Sequence, residues 1–135
     1  MEIVIADGGR KEAGYRGRAG DCVVRAIANI TQKPYQEVYD AVSAYLKTHY
    51  PNETARTGVP KKATRALMEK FGGRWVPLMG IGTGCRVHLR AEELPTGRII
   101  CNLSGHVVAV IDRVIYDTYD PTRDGTRCVY GYWVF

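Results

Sequence analysis

Three residues in this chain have the types and the order needed for thiol chemistry. Cys22 stands in Gly20-Asp21-Cys22-Val23-Val24-Arg25-Ala26, a tight loop running into an apolar helical pattern. His106 opens Gly105-His106-Val107-Val108-Ala109-Val110-Ile111, which reads as a strand heading for the core. Asp117 follows on the next strand, Val114 to Thr118. A thiolate is the reactive form of cysteine, and the field at a helix start lowers the thiol pKa. Histidine is the base whose ordinary pKa suits neutral pH. A carboxylate holds such an imidazole in orientation and stabilises its charged form.

The third member depends on a hairpin register. With Asp112 and Arg113 as a two-residue turn, residue 111 faces 114, Val108 faces Asp117 and His106 faces Tyr119. Asp117 is then diagonal to His106 on one face of the sheet. A slip by one residue would select Asp120 instead, which otherwise reads as part of a turn with Pro121. Asp21 is placed as an N-cap for the helix, and it is also a candidate substrate-binding or oxyanion group beside Cys22. The backbone N–H of Cys22 is a natural oxyanion donor. Arg16 and Arg18 in the preceding loop are candidates for the second, against the simpler reading of solvated charges.

The elements that must position these groups follow from periodicity. Val23, Ala26, Ile27 and Ile30 recur at helical spacing up to Thr31-Gln32-Lys33, before Pro34. Pro34 suits the start of a second helix whose stripe is Tyr35, Val38, Ala41, Val42, Tyr45 and Leu46. Pro60 opens a third helix through Phe71, closed by Gly72-Gly73. Strands are expected at 74–78, 98–103, 106–111, 114–118 and 128–134, with a short one at 2–5 and a helical turn within 88–93. Helices first and strands second predict an α+β fold, N-terminal helices packed on a C-terminal antiparallel sheet. The expected plan is one domain over 1–135: a Gly/Arg-rich arm and loop (1–20), helices (21–73) and the sheet (74–135).

Composition bounds the function. The 135 residues suit one core, and 19 Lys and Arg against 14 Asp and Glu leave a net charge of +5, spread diffusely. No aromatic RNA-binding signature or zinc-finger spacing accompanies it, which argues against nucleic acid as partner. No run approaches the roughly 18 apolar residues of a membrane span, and Met1-Glu2-Ile3-Val4 is no signal peptide. A cytoplasmic protein is expected, with no membrane partner. Cys22, Cys85, Cys101 and Cys128 form no Cys-x-x-Cys pair, so no disulfide framework is expected. Cys101 and Cys128 read as core strand cysteines and Cys85 as an exposed thiol. Cys85 with His88 starts a metal site that nothing completes, and no metal or cofactor is expected. Gly80-Ile81-Gly82-Thr83-Gly84 lacks the Gly-Lys-Ser/Thr ending of a phosphate loop and reads as a loop bordering the cleft. Trp75, Tyr130, Tyr132 and Trp133 read as core or half-buried sheet residues. The sequence specifies no oligomeric state.

Cysteine at a helix start, histidine at a strand start and aspartate on the following strand resemble the papain-like cysteine-peptidase superfamily. The run from Gly20 to Ala26 looks like the nucleophile segment of ovarian-tumour-type deubiquitinases. Gly105 to Val110 with Asp117 looks like the leader-peptide peptidase domains of bacteriocin transporters, and the compact chain looks like small bacteriophage proteins. Papain-like enzymes carry a glutamine shortly before the cysteine; none occurs from Met1 to Cys22, and Arg16 stands at the comparable spacing. The ovarian-tumour type has an aspartate where this chain has Ala19. The resemblance implies a cysteine hydrolase acting on a peptide or isopeptide bond of a protein or peptide substrate, with Cys22 as nucleophile, His106 as base and Asp117 as orienting acid. Acyl transfer by the same triad is one alternative. A catalytically inactive binding module, for instance a phage factor acting on a target in the host cytoplasm, is another.

Overall fold

The structure, a computed structural model, describes residues 1–17 and 19–135; Arg18 lies outside the described residues. The chain runs β1 (Ile3–Ile5), α1 (Cys22–Thr31), α2 (Tyr35–His49), α3 (Lys61–Lys70), β2 (Arg74–Pro77), a 3-10 turn (Ala91–Glu93), β3 (Arg98–Leu103), β4 (His106–Ile111), β5 (Val114–Asp117) and β6 (Gly131–Val134). The class is α+β: among the described residues, three helices pack on a six-stranded sheet of order β1-β5-β4-β3-β6-β2. Among the described residues no helix is long and apolar enough to cross a membrane.

The sheet is mixed, which corrects the expectation of a purely antiparallel one. β1 pairs in parallel with β5, Ile3 opposite Ile115 and Ile5 opposite Asp117, while every other pair is antiparallel. Three β-branched residues suit a strand, and here they cover the open edge of a hairpin that would otherwise leave its backbone groups unpaired. The N-terminal arm therefore belongs to the sheet and lies beside Asp117. Its next turn is tied down as well, because Arg10 is buried.

The hairpin from β4 to β5 turns at Asp112 and Arg113, both with positive φ (47° and 67°), the geometry of a two-residue turn. Neither residue is glycine, and tertiary bonds offset the conformational cost. Asp112 Oδ1 accepts the Gly97 N–H at 2.8 Å, and Arg113 Nε donates to the Leu94 carbonyl at 2.8 Å. Ile111 faces Val114 and Ala109 faces Tyr116, the register read from the sequence.

Both sheet faces are covered. On one, Val24, Ile27 and Ile30 of α1 pack with Val38 and Val42 of α2, Leu67 of α3 and Ile100, Val107 and Ala109 of the sheet. On the other, Ile99, Cys101, Val108, Val110 and Ile115 meet Leu89, Leu94 and Val129 from irregular chain. Val107 through Val110 are all buried, so β4 is central in both directions, and this explains its continuous apolar run.

The irregular cover of the second face carries a correction. Cys85 and Cys128 form a disulfide, with Cα atoms 5.8 Å apart. Residues 78–89 run alongside 127–130, through Leu78 N–H to Tyr130, Val129 N–H to Val87 and Leu89 N–H to Arg127 carbonyls. That pairing, with a bridge between His88 and Cys128, brings the two thiols together. Cys128 is thus a half-buried partner rather than a core thiol, and Cys85 is no free thiol. The bond overturns the expectation of no disulfide, a linkage that persists in oxidising surroundings. Cys101 is fully buried, as read, and burial pushes its thiol pKa up to about 12.

Candidate functional site

α1 runs alongside β4, with Cys22 at the end where His106 begins its strand. At the far end the Arg98 guanidinium, on β3, donates to the Ile30 carbonyl at 3.0 Å. Cys22 is the first residue of α1, so its N–H is one of the helix donors with no partner inside the helix. His106 opens β4 and Asp117 closes β5, which puts both at the same end of one hairpin. His106 Nε2 meets Asp117 Oδ2 at 2.7 Å in a buried bond, and the imidazole lies near enough to Cys22 to act on its thiol. The Tyr119 ring lies 5.4 Å from the imidazole.

The electrostatics follow from these contacts. Burial alone would raise the Cys22 pKa; hydrogen bonds from His106 and the Val107 N–H, with the charges of His106 and Arg25, outweigh it and hold the thiol below its ordinary value. Burial alone would lower His106, but its bonds to Asp117 and Cys22 push it up to about 9. The two shifts are opposite in direction, each group favouring the charged form of the other.

The His106 value has a consequence for stability. A folded-state pKa above the unfolded 6.5 stabilises the fold fully below pH 6.5, and the contribution is lost as pH rises through about 9. For Cys22 the sign is reversed: its depressed pKa favours the fold fully above the ordinary 9.0, and less as pH falls through the depressed value. An NMR titration of the His106 ring protons is expected to show a midpoint near 9, displaced toward 6.5 in Asp117→Asn. A wild-type midpoint at 6.5 would contradict the paired arrangement.

Asp21 occupies the N-cap position of α1, its carbonyl accepting the Arg25 N–H at 3.0 Å, but its side chain makes no cap bond. Its carboxylate has no exposed surface and is taken by other partners. Arg25, one helical turn on, pairs with Oδ1; the Tyr35 hydroxyl donates to Oδ2 at 2.5 Å; Arg10 stands 3.6 Å away. Arg10 also donates to the Tyr35 hydroxyl at 3.1 Å and to the Arg16 carbonyl at 3.0 Å. The Asp21 carboxylate is thus committed to these buried partners. Arg25 bridges onward, 3.9 Å from Asp117 Oδ1, which also accepts the Thr118 N–H at 2.7 Å. A buried chain of alternating charge thus runs from Arg10 through Tyr35, Asp21, Arg25 and Asp117 to His106.

Sequence reasoning missed Arg25, Tyr35 and Arg10. The i,i+4 spacing of Asp21 and Arg25 was a signal for one link; the others join only through the fold. Arg16 is exposed, and among the described residues it lines a neighbouring depression rather than the cleft of Cys22 and His106. Asp120 is occupied at a turn, its Oδ1 accepting the Thr122 N–H at 2.8 Å and hydroxyl at 2.6 Å. The glycine loop at 80–84 closes on itself through Thr83 and Gly80 and is not among the cleft residues, contrary to expectation. Among the described residues no three metal-ligating side chains gather.

Cys22 and His106 open into a cleft of about 830 Å³, of the size that holds a small ligand or peptide segment. Asn102 lines it, cross-strand from Val107, and brings a side-chain amide to the wall. Trp75 and Trp133 line it too, with ring centroids 4.6 Å apart. The alternation of β2 and β6 marked them as sheet residues; only the pairing of the two strands shows a shared cleft face. No protein-family model, curated protein or solved structure matches the chain.

Proposed function

We propose that this protein is a papain-like cysteine hydrolase that cleaves a peptide or isopeptide bond. The observation that carries the reading is the buried Asp117–His106 bond at 2.7 Å, with the imidazole against a thiol of lowered pKa at a helix start. The helix-borne cysteine packed beside a hairpin bearing histidine and aspartate supports the papain-like plan. A peptide or protein substrate fits the open cleft, and no step below needs a metal or cofactor.

The Cys22 thiolate attacks the carbonyl carbon, forming a C–S bond and moving the π electrons onto oxygen. The oxyanion faces the Cys22 N–H, which has no partner within the helix, at the positive end of α1. Collapse breaks the C–N bond while the His106 imidazolium gives its proton to the leaving amine. Neutral His106 then takes a proton from water, whose oxygen attacks the thioester; the C–S bond breaks and the thiolate–imidazolium pair returns. Asp117 holds Nε2–H throughout.

The test is the rate of Cys22 alkylation by iodoacetamide against pH, followed by mass spectrometry in wild type and His106→Ala. Cys22 is expected to react fastest below pH 7 and to lose that advantage in the variant. Buried Cys101 serves as the unreactive internal reference. Reaction as an ordinary thiol near pH 8.5, unchanged in the variant, would overturn the reading.

A further inference from the structure

We infer that the cleft beside Cys22 selects an acidic peptide segment, seating an apolar side chain on Trp75, which packs beside Trp133, and a carboxylate against Lys61 and Lys62. The inference rests on the thiol-hydrolase reading and names its substrate class.

The charge of the cleft is one-sided. Lys61, Lys62 and Arg65 stand along it, and no aspartate or glutamate is among its described lining residues. Arg25, also in the wall, is neutralised by Asp21 and Asp117. Arg65 is partly spent on Glu69 at 3.8 Å, whereas neither lysine has an ion-pair partner among the described residues. Both lysines occupy the first turn of α3, which holds no acidic residue. A helix start disfavours cations, so this placement works against α3 and creates an uncompensated positive lip. A carboxylate on a bound segment would relieve it.

The floor is built around an absent side chain. Trp75 lies across Gly131 of β6, and a Cβ there would overlap its ring. Glycine in a strand weakens it, and here it lets the indole lie close against the sheet next to Trp133. The Arg65 guanidinium sits 5.9 Å above the Trp75 ring. Trp133 is 3% exposed, and its buried indole N–H has no hydrogen-bond partner among the described residues. An apolar floor under a cationic lip matches a segment that pairs an apolar residue with an acidic one. The nucleophile attacks an acyl carbon, which favours a peptide over a nucleic acid as the anion.

The probes are N-acetyl tripeptide chloromethyl ketones of sequence X-Leu-Gly with X as Glu, Gln or Lys. The Cys22 thiolate displaces chloride, forming C–S and breaking C–Cl, and mass spectrometry gives the rate. The Glu probe is expected to react about tenfold faster than the Lys probe at low salt, with the ratio falling as salt rises. Lys61→Glu with Lys62→Glu is expected to erase or invert that ratio. Lys33→Glu with Lys47→Glu, the same charge change on and beside α2, should preserve it. Equal rates for all three probes, with rapid iodoacetamide alkylation of Cys22, would overturn the inference and leave the hydrolase reading standing. If Cys22 is inert to every reagent, the hydrolase reading fails, and tryptophan quenching in Cys22→Ala by the Glu and Lys peptide amides decides the cleft separately. Tighter binding of the Glu peptide supports the acidic-segment inference. Equal binding, or stronger quenching by a thymidine oligonucleotide than by the Glu peptide, overturns it.

Discussion

Cys22→Ala is expected to reduce hydrolysis of a fluorogenic peptide amide by at least about 10⁴-fold, and His106→Ala by about 10³- to 10⁴-fold. The two losses have different origins. The first removes the attacking atom, and nothing else in the cleft replaces it, because Cys101 is buried and the other two cysteines are joined. The second removes the proton carrier and the partner that keeps the thiol ionised. Because the two groups act as a unit, the double variant should be no slower than Cys22→Ala alone. Both variants should keep the fold. Cys22 is only half-buried, and loss of the His106 ring still leaves Asp117 facing Arg25 and the Thr118 N–H. Added imidazole should restore part of the His106→Ala rate and none of the Cys22→Ala rate. Retention of more than a tenth of the wild-type rate by Cys22→Ala, with an unchanged melting temperature, would sink the nucleophile assignment.

Arg25→Met is expected to cost about 3–5 kcal/mol of stability, the usual consequence of removing one partner from a buried ion pair. In a chain of this size that lowers the melting temperature by about 10 °C or more. Arg25 has only 12% of its side chain exposed and stands between Asp21, at 0%, and Asp117, at 4%. Without it two buried carboxylates face each other's field with only Tyr35, Arg10, His106 and backbone donors to compensate. Methionine keeps the length of the stem, so packing loss is small and the effect isolates the charge. Combining Asp21→Asn with Arg25→Met should lose less than the sum of the single variants, because each removes the other's uncompensated charge. Arg25→Lys should retain part of the stability but not the forked reach to both carboxylates. It should therefore shift the pH profile of Cys22 alkylation, a change that loss of packing alone would not produce. A thermal loss below about 1 kcal/mol would mean that water shields this cluster.

Much of the site was legible because its members sit at the ends of strongly patterned elements. The apolar stripe from Val23 to Ile30 and the break before Pro34 set where α1 starts and stops, and so place Cys22 in its first turn. The run from Val107 to Ile111, the turn at Asp112-Arg113 and the β-branched start of β5 set the hairpin, and a two-residue turn allows one register. From that register alone Asp117 falls on the face of His106. Local periodicity and turn geometry are short-range properties, and a single chain carries them in full.

Tertiary structure decided what depends on distant chain segments meeting. β1 joins the sheet in parallel, which three residues of Ile3-Val4-Ile5 could not announce. Cys85 and Cys128 meet because the irregular stretch after β2 runs beside the chain leading into β6, a pairing without turn or periodic signature. Asp21 reads locally as a cap. It becomes the centre of a charge cluster because α2 brings Tyr35 and the arm brings Arg10, and a buried carboxylate takes the strongest donors within reach. Patterning along the chain therefore determined the elements and the placement of Cys22, His106 and Asp117; burial, which no local window contains, determined the charges that hold them and the cleft they face.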